Sequence, residues 1–341
     1  MRIGIAYNLR DEAPEVPGAP VDHAEEFDSP ATIEALAQVL ASAGHTVERL
    51  GFGRPFLTCM LTDPPDLVFN IAEGLSGRSR EAQVPAVCEM LGVPCTGSDP
   101  LTLALTLDKD LAKRVVASRG LATPRHLLVE SLADLPDGDE PGGLSFPLIV
   151  KPAWEGSSKG VRLASRVTTP MLLREQVTFV LEGYGGPALI EEFCEGEEFT
   201  VGVIGNESPR VVGVMQIRHR TLPSDEFLYS LEVKRDWENQ VEYLVPPPVP
   251  ARLLAELESL AVGCYRALGC RDISRVDLRL KGGIPHFIEV NPLPGLSPIY
   301  GDLPILAGRM GWTHEQLVLA IVQHALERTG LNKSDGTRGT A

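Results

Sequence analysis

The stretch Lys151-Pro-Ala-Trp-Glu-Gly-Ser-Ser-Lys-Gly-Val161 constrains this chain more than any other. It leaves an apolar run, Phe146-Pro-Leu-Ile-Val150, that reads as a buried strand. The fold must therefore deliver a lysine from an inner strand straight into a glycine-bracketed turn. Gly156 and Gly160 permit positive φ and close backbone approach. Amide N–H groups and the Ser157 and Ser158 hydroxyls can then converge on phosphate oxygens, with Lys151 and Lys159 adding positive charge. The spacing is not that of a Walker loop, and no Gly-x-Gly-x-x-Gly follows a first strand. Taken alone the segment also fits a solvated turn, so the choice rests on the remaining sequence.

At 341 residues the chain exceeds one typical core and predicts two or three packed domains. Its formal charge of −15 argues against a nucleic-acid surface and against anionic membranes, and requires that an anionic ligand find a locally basic pocket. Cys59, Cys88, Cys95, Cys194, Cys264 and Cys270 show no Cys-x-x-Cys spacing and read as buried reduced thiols. No signal-peptide core opens the sequence and no apolar stretch reaches the ~20 residues of a membrane span, which predicts a soluble cytoplasmic protein.

Arg2–Tyr7, His45–Leu50 and Asp66–Asn70 read as strands, with a helix from Pro30 capped by Ser29 and stopped by Gly44. Such alternation predicts a parallel sheet ending near Gly97. Between them, Asn8 to Asp28 is an acidic, proline-rich loop. A helix over Asp108–Arg119 and strands at His126–Val129 and Ala188–Glu191 follow. Phe199–Ile204 and Val211–Ile217 also read as strands. Residues 218–240 lack periodicity and suit an active-site loop. The expected units are 1–97, 98–187 and 188–330, with a frayed tail over 331–341.

Ser274–Leu280 and Pro285–Val290 read as a hairpin around Gly282-Gly283. Arg275 and Asp277 are two apart, as are Glu289 and Asn291, so strand periodicity puts each pair on one face. A plain two-residue turn would set Asp277 opposite Ile288. An odd turn or a bulge would set it opposite Glu289, and this arrangement is the one predicted. Two carboxylates and an amide oxygen on one face suit Mg²⁺ beside phosphates. Arg275 beside them could stabilise charge on a transferred phosphoryl group or a tetrahedral centre.

The Lys151 loop, Glu191-Glu-Phe-Cys-Glu-Gly-Glu-Glu198 and Arg275-x-Asp277…Glu289-x-Asn291-Pro-x-Pro-Gly295 occur in that order. Together they resemble the ATP-grasp superfamily, most closely its D-alanine–D-alanine ligase branch, over about residues 66–312. The resemblance implies an α/β ATP-grasp fold of three domains. The first would hold a Rossmann-like parallel sheet, and the nucleotide would lie between the central and C-terminal domains. It implies Lys109 and Lys151 on the nucleotide phosphates, with Ser157, Ser158 and Gly160 in a phosphate lid. Glu191 would accept from the adenine amino group, Phe193 and Cys194 would line the adenine slot, and Glu198 would hold the ribose. Lys234 would reach the γ-phosphate. Asp277, Glu289 and Asn291 would bind two Mg²⁺ ions (Mn²⁺ being an alternative), and Arg275 would face a tetrahedral intermediate. The implied reaction joins a small-molecule carboxylate to an amine through an acyl phosphate, in a homodimer.

Departures from the branch fall on the substrate side. Its Gly-Gly-x-Ser-x-Glu signature is absent, which leaves Glu25, Glu26 or Asp28 to hold a substrate ammonium. Glu73 stands where the branch has histidine, and would repel a carboxylate and attract an amine or guanidine. Arg78 and Arg80 replace acidic residues. After Gly295, Tyr300 falls on a serine position that binds the second substrate. These changes predict amino-acid-like substrates other than two D-alanines. D-alanine–D-alanine ligation itself, an ATP-grasp kinase or carboxylase, and a non-catalytic nucleotide-binding module stay open at this point.

Overall fold

The computed structural model describes residues 1–14 and 18–331. Three sheets organise it. Strands β1 (Arg2–Tyr7), β2 (Thr46–Gly51) and β3 (Leu67–Ile71) form a parallel sheet of order β2-β1-β3. The joining helix, Pro30–Ser42, starts as expected: Ser29 Oγ accepts from the Thr32 N–H, and Pro30 needs no partner for a missing N–H. Ile33, Leu36, Ala37 and Leu40 face the core.

A second, antiparallel sheet contains β4 (His126–Val129), β5 (Leu148–Pro152), β6 (Arg166–Val167) and β7 (Ala188–Glu192), in the order β4-β7-β5-β6. All five residues of β5 are buried, as the apolar run predicts. The third sheet is antiparallel and five-stranded. It contains β8 (Glu198–Ile204), β9 (Arg210–His219), β10 (Val241–Leu244), β11 (Ile273–Lys281) and β12 (Ile284–Asn291), in the order β10-β9-β8-β11-β12.

The cores explain which parts can move together. Ile3, Ile5 and Leu36 share one apolar cluster with Ile217, Leu303 and Leu317, so the first and third sheets are welded. The second sheet has its own cluster of Leu148, Val150, Val177 and Ile190. It meets the third sheet across a cleft rather than through a common core.

Residues 218–240 are not wholly irregular, since short helices form at Leu231–Arg235 and Trp237–Gln240. All six cysteines are free. No helix among the described residues is long and apolar enough to cross a membrane. Residues 332–341 of the expected tail lie outside the described residues.

Candidate active site

The hairpin β11–β12 sets one wall of the cleft. Lys281 pairs with Ile284, so the turn is the two-residue Gly282-Gly283, both at positive φ (59° and 78°). The register shifts between Asp277 and Leu278: Leu278 faces Phe287, while Asp277 faces Glu289 and Arg275 faces Asn291. Ile288 is the extra residue of a β-bulge. Of the two arrangements anticipated, an odd turn or a bulge, the molecule uses the bulge. The turn itself stays even, as the left-handed tolerance of two glycines dictates.

Around Asp277 the polar contacts are dense. Arg275 Nη2 donates to Oδ2 at 2.8 Å, Asn291 Nδ2 donates to the same oxygen at 3.1 Å, and Thr200 Oγ1 donates to Oδ1 at 2.5 Å. Arg275 also pairs with Asp302 at 3.3 Å, and these acids push its pKa further up despite burial. With its amide nitrogen turned to Asp277, Asn291 keeps its amide oxygen for another partner. Glu289 lies 3.6 Å from Lys109 Nζ. Burial works to raise the Glu289 carboxyl, but Lys109, Lys151, Lys234 and Arg275 outweigh it and hold it at about 2. Among the described residues no three His, Cys, Asp or Glu side chains form a metal cluster. Asp277, Glu289 and the Asn291 amide nevertheless make a hard oxygen set that fits Mg²⁺ beside phosphates.

The lysine side of the cleft differs from expectation. Asp108 caps the helix Lys109–Ser118, and four-residue spacing puts Lys109 and Lys113 on one face. Glu191, 2 % exposed, pairs with Lys151 at 2.5 Å through Oε1 and with Lys113 at 2.8 Å through Oε2. Burial would raise its carboxyl, but the two ammoniums hold it at about 2. Each oxygen thus lies within ion-pair distance of a lysine, while Oε2 receives no hydrogen bond. Lys113 was missed, although its position one turn beyond Lys109 was a signal.

In the lid, positive φ falls on Ser157 (48°) and Ser158 (58°), not on Gly156. Ser158 Oγ donates to the Tyr229 carbonyl at 3.3 Å. Gly160 is at φ 73°, and a Cβ there would sit 2.5 Å from Pro152 Cγ. Its N–H donates to Asp22 Oδ2 at 3.1 Å, so Gly160 serves packing and docking of the lid rather than a phosphate. Asp22 is fully gripped, since Arg162 Nη2 (2.9 Å) and the Tyr184 hydroxyl (3.0 Å) also donate to it.

Deeper in the cleft, the Phe193 ring lies under the Arg279 guanidinium at 4.4 Å and under Arg166 at 5.1 Å. Cys194 lines the same space, and burial pushes its thiol up to about 11. Burial also pushes Glu198 up to about 7, against the pull of Arg279 at 3.4 Å. Strand periodicity puts Arg279 on the face of Asp277 and Arg275, a signal that went unused. Lys109, Lys151, Ser158, Glu198, Lys234 and Glu289 all border this cleft. Lys234 has no ion-pair partner among the described residues, and its ammonium lies 5.1 Å above the Tyr229 ring.

The substrate-side residues divide. Glu73, Glu26 and Gly295 border a second cavity that shares Lys109, Lys234, Arg275 and Glu289 with the cleft. Tyr300 borders a third, beside Arg275, and its hydroxyl meets Thr32 Oγ1 at 3.3 Å. Glu26 is not free: Arg80 at 3.1 Å and Lys159 at 2.8 Å neutralise it, outweighing the burial that would raise its carboxyl. Arg78 lies outside both substrate cavities. It pairs with Asp108 at 2.6 Å and stacks 5.1 Å over Trp154.

This geometry can be set beside known proteins. The family profile described as "D-ala D-ala ligase C-terminus" matches residues 122–323, which span Lys151, Lys234, the lid and the hairpin. The chain belongs to the D-alanine–D-alanine ligase family. It is an ATP-dependent ligase that forms carbon–nitrogen bonds on small molecules, and its fold is ATP-grasp. The ligase is 31 % identical over 303 residues to the D-alanine–D-alanine ligase of Desulforudis audaxviator, covering 86 % of this chain and 92 % of that one. It is 34 % identical over 274 residues to protein y4sG of Sinorhizobium fredii, covering 78 % of each. The crystal structure of D-alanine–D-alanine ligase from Bacillus anthracis complexed with ATP superposes with a TM-score of 0.76. There the identity is 24 %, over 97 % of this chain and 99 % of that chain.

Proposed function

We propose that the ligase activates a substrate carboxylate with MgATP and passes the acyl group to an amine, on amino-acid-like substrates other than two D-alanines. The observation that carries this reading is the meeting of Lys109, Lys151 and Lys234 with the Asp277–Glu289 pair and Arg275 around one cleft. Asp277, Glu289 and Asn291 would hold Mg²⁺, which would offset charge on the β- and γ-phosphates. Lys234, unpaired among the described residues and on a short helix, would meet the γ-phosphoryl group as it moves. The lid, docked by Asp22, excludes water that would hydrolyse an acyl phosphate.

The second step needs a positive group beside the carbonyl under attack. Arg275 borders the cleft and both substrate cavities, and Asp277 and Asp302 fix its guanidinium from two sides. It can therefore stabilise an oxyanion while phosphate departs. The same reading divides the chain near residues 97 and 187, with Phe193 and Cys194 against the base and Glu198 at the ribose. Against two D-alanines stand the carboxylate of Glu73 and the phenol of Tyr300.

ADP release over paired amines and carboxylates, with mass spectrometry of products, tests the proposal. Arg275→Ala should abolish coupling and spare ATP binding. Best turnover with D-alanine alone, giving D-alanyl-D-alanine, would refute the substrate claim.

A further inference from the structure

The second cavity has two unlike ends. One is the transfer centre, with Lys109, Arg275, Glu289 and Asn291; the other carries Glu73 and Glu81. The chain brings these two acids together through a tight reversal. Gly74 is at φ 76°, and a Cβ there would lie 2.5 Å from the Arg80 carbonyl oxygen, so only glycine lets residue 73 fold against residues 80–81. Glu81 is 7 % exposed. Among the described residues neither carboxylate receives a hydrogen bond or an ion pair.

The neighbouring cations are already committed. Arg80 donates to Glu26, Glu155 and the Trp154 carbonyl, Lys159 pairs with Glu26 and Glu155, and Lys109 lies by Glu289. Glu81 is a buried carboxylate without a partner, which is unfavourable, and the half-buried Glu73 on the same cavity adds to its cost. Burial and mutual repulsion push Glu73 well above the usual carboxylate range, and burial pushes Glu81 up to about 7.

We propose that Glu73 and Glu81 jointly bind a cationic group, an ammonium or a guanidinium, at the far end of the carboxylic acid this ligase activates. Which end of the substrate is activated rests on the ligase reading above; the cation site does not. A substrate spanning the cavity places its own carboxylate by Lys109 and Arg275 and its positive end by the two glutamates. The reverse orientation sets carboxylate against carboxylate.

Calorimetric binding to the full chain, with Mg²⁺ and a non-hydrolysable ATP analogue present, tests this with three matched pairs in both enantiomers. Arginine against citrulline reads a guanidinium, lysine against norleucine a side-chain ammonium, and alanine against lactate an α-ammonium. At least one cationic member should bind about 100-fold more tightly than its neutral mate. Glu73→Gln and Glu81→Gln should each cut that preference to within about tenfold, with analogue affinity and melting temperature retained. The proposal falls if no cationic member binds, if the neutral mates bind equally, or if the preference survives the double substitution. Trapping the activated acid with hydroxylamine, as a hydroxamate plus phosphate, scores the ligase reading separately. Cation binding without hydroxamate would remove activation and leave the site.

Discussion

Replacing Glu191 by glutamine keeps its shape and removes the one negative charge between Lys113 and Lys151. In the folded protein its carboxyl sits at about 2, against an ordinary 4.5, and it is fully buried. That difference of 4.5 − 2 = 2.5 corresponds to about 3 kcal/mol, at roughly 1.4 kcal/mol per pH unit. It agrees with the ~3–5 kcal/mol lost when one partner of a buried pair is removed. Because the folded value lies below the unfolded one, the stabilisation is complete above pH 4.5 and fades as pH falls toward 2. The difference between wild type and Glu191→Gln in urea unfolding should therefore be about 3 kcal/mol at pH 7 and about half that at pH 3. Lys113, whose pKa burial already lowers, can shed a proton in the variant and soften the loss. A loss below about 1 kcal/mol, with weakened ATP binding as the main effect, would refute this account. Glu191 would then face adenine, as the resemblance first implied, and not the two lysines.

Lys234→Ala should lower kcat about 100-fold or more while changing ATP affinity far less, since an unpaired ammonium acts where charge develops; stopped-assay ADP release reads both. Chelating divalent metal with EDTA should abolish turnover and Mg²⁺ should restore it, whereas Glu289→Gln should not be rescued by excess Mg²⁺. Glu198 is held up at about 7, so it gains a proton as pH falls through neutrality. KM for ATP should rise below pH 7, and Glu198→Gln should flatten that profile. Gly160→Ala forces both a left-handed alanine and a clash with Pro152, a penalty of about 1–3 kcal/mol on the docked lid. Hydrogen exchange over residues 155–162 should accelerate and kcat/KM should fall.

The parts legible in the sequence were those whose geometry is local. Ser29-Pro30 announced a helix start, and Phe146–Val150 a buried strand. Period two in Arg275-x-Asp277 and Glu289-x-Asn291 fixed a shared face before any register was known. The turn was ambiguous because glycine pairs tolerate several conformations, while a bulge depends on packing on both sides of the sheet. Charge neutralisation was hidden for a different reason. Glu26, Arg80 and Lys159 come from three segments, and nothing in a linear string shows that they meet. Asp302 lies beyond an irregular Pro-Gly loop with no periodic neighbour to mark it. Asp22 sits in a loop whose only legible property was acidity. Period four from Lys109 to Lys113 and period two from Asp277 to Arg279 could have been read and were not.

The inserted Ile288 has a consequence for how this hairpin can vary. It borders the nucleotide cleft and, in the same step, rotates Glu289 to the side of Asp277. Below it, toward Gly282-Gly283, the ribbon can lengthen by whole residue pairs without the carboxylates noticing. Losing Ile288 itself would leave Glu289 opposite Asp277 on a regular ladder, whereas losing Val290 above it would put Glu289 and Asn291 on opposite sides of the ribbon. Chains descended from this one should therefore tolerate paired insertions at the tip and keep the single residue between Glu289 and Asn291.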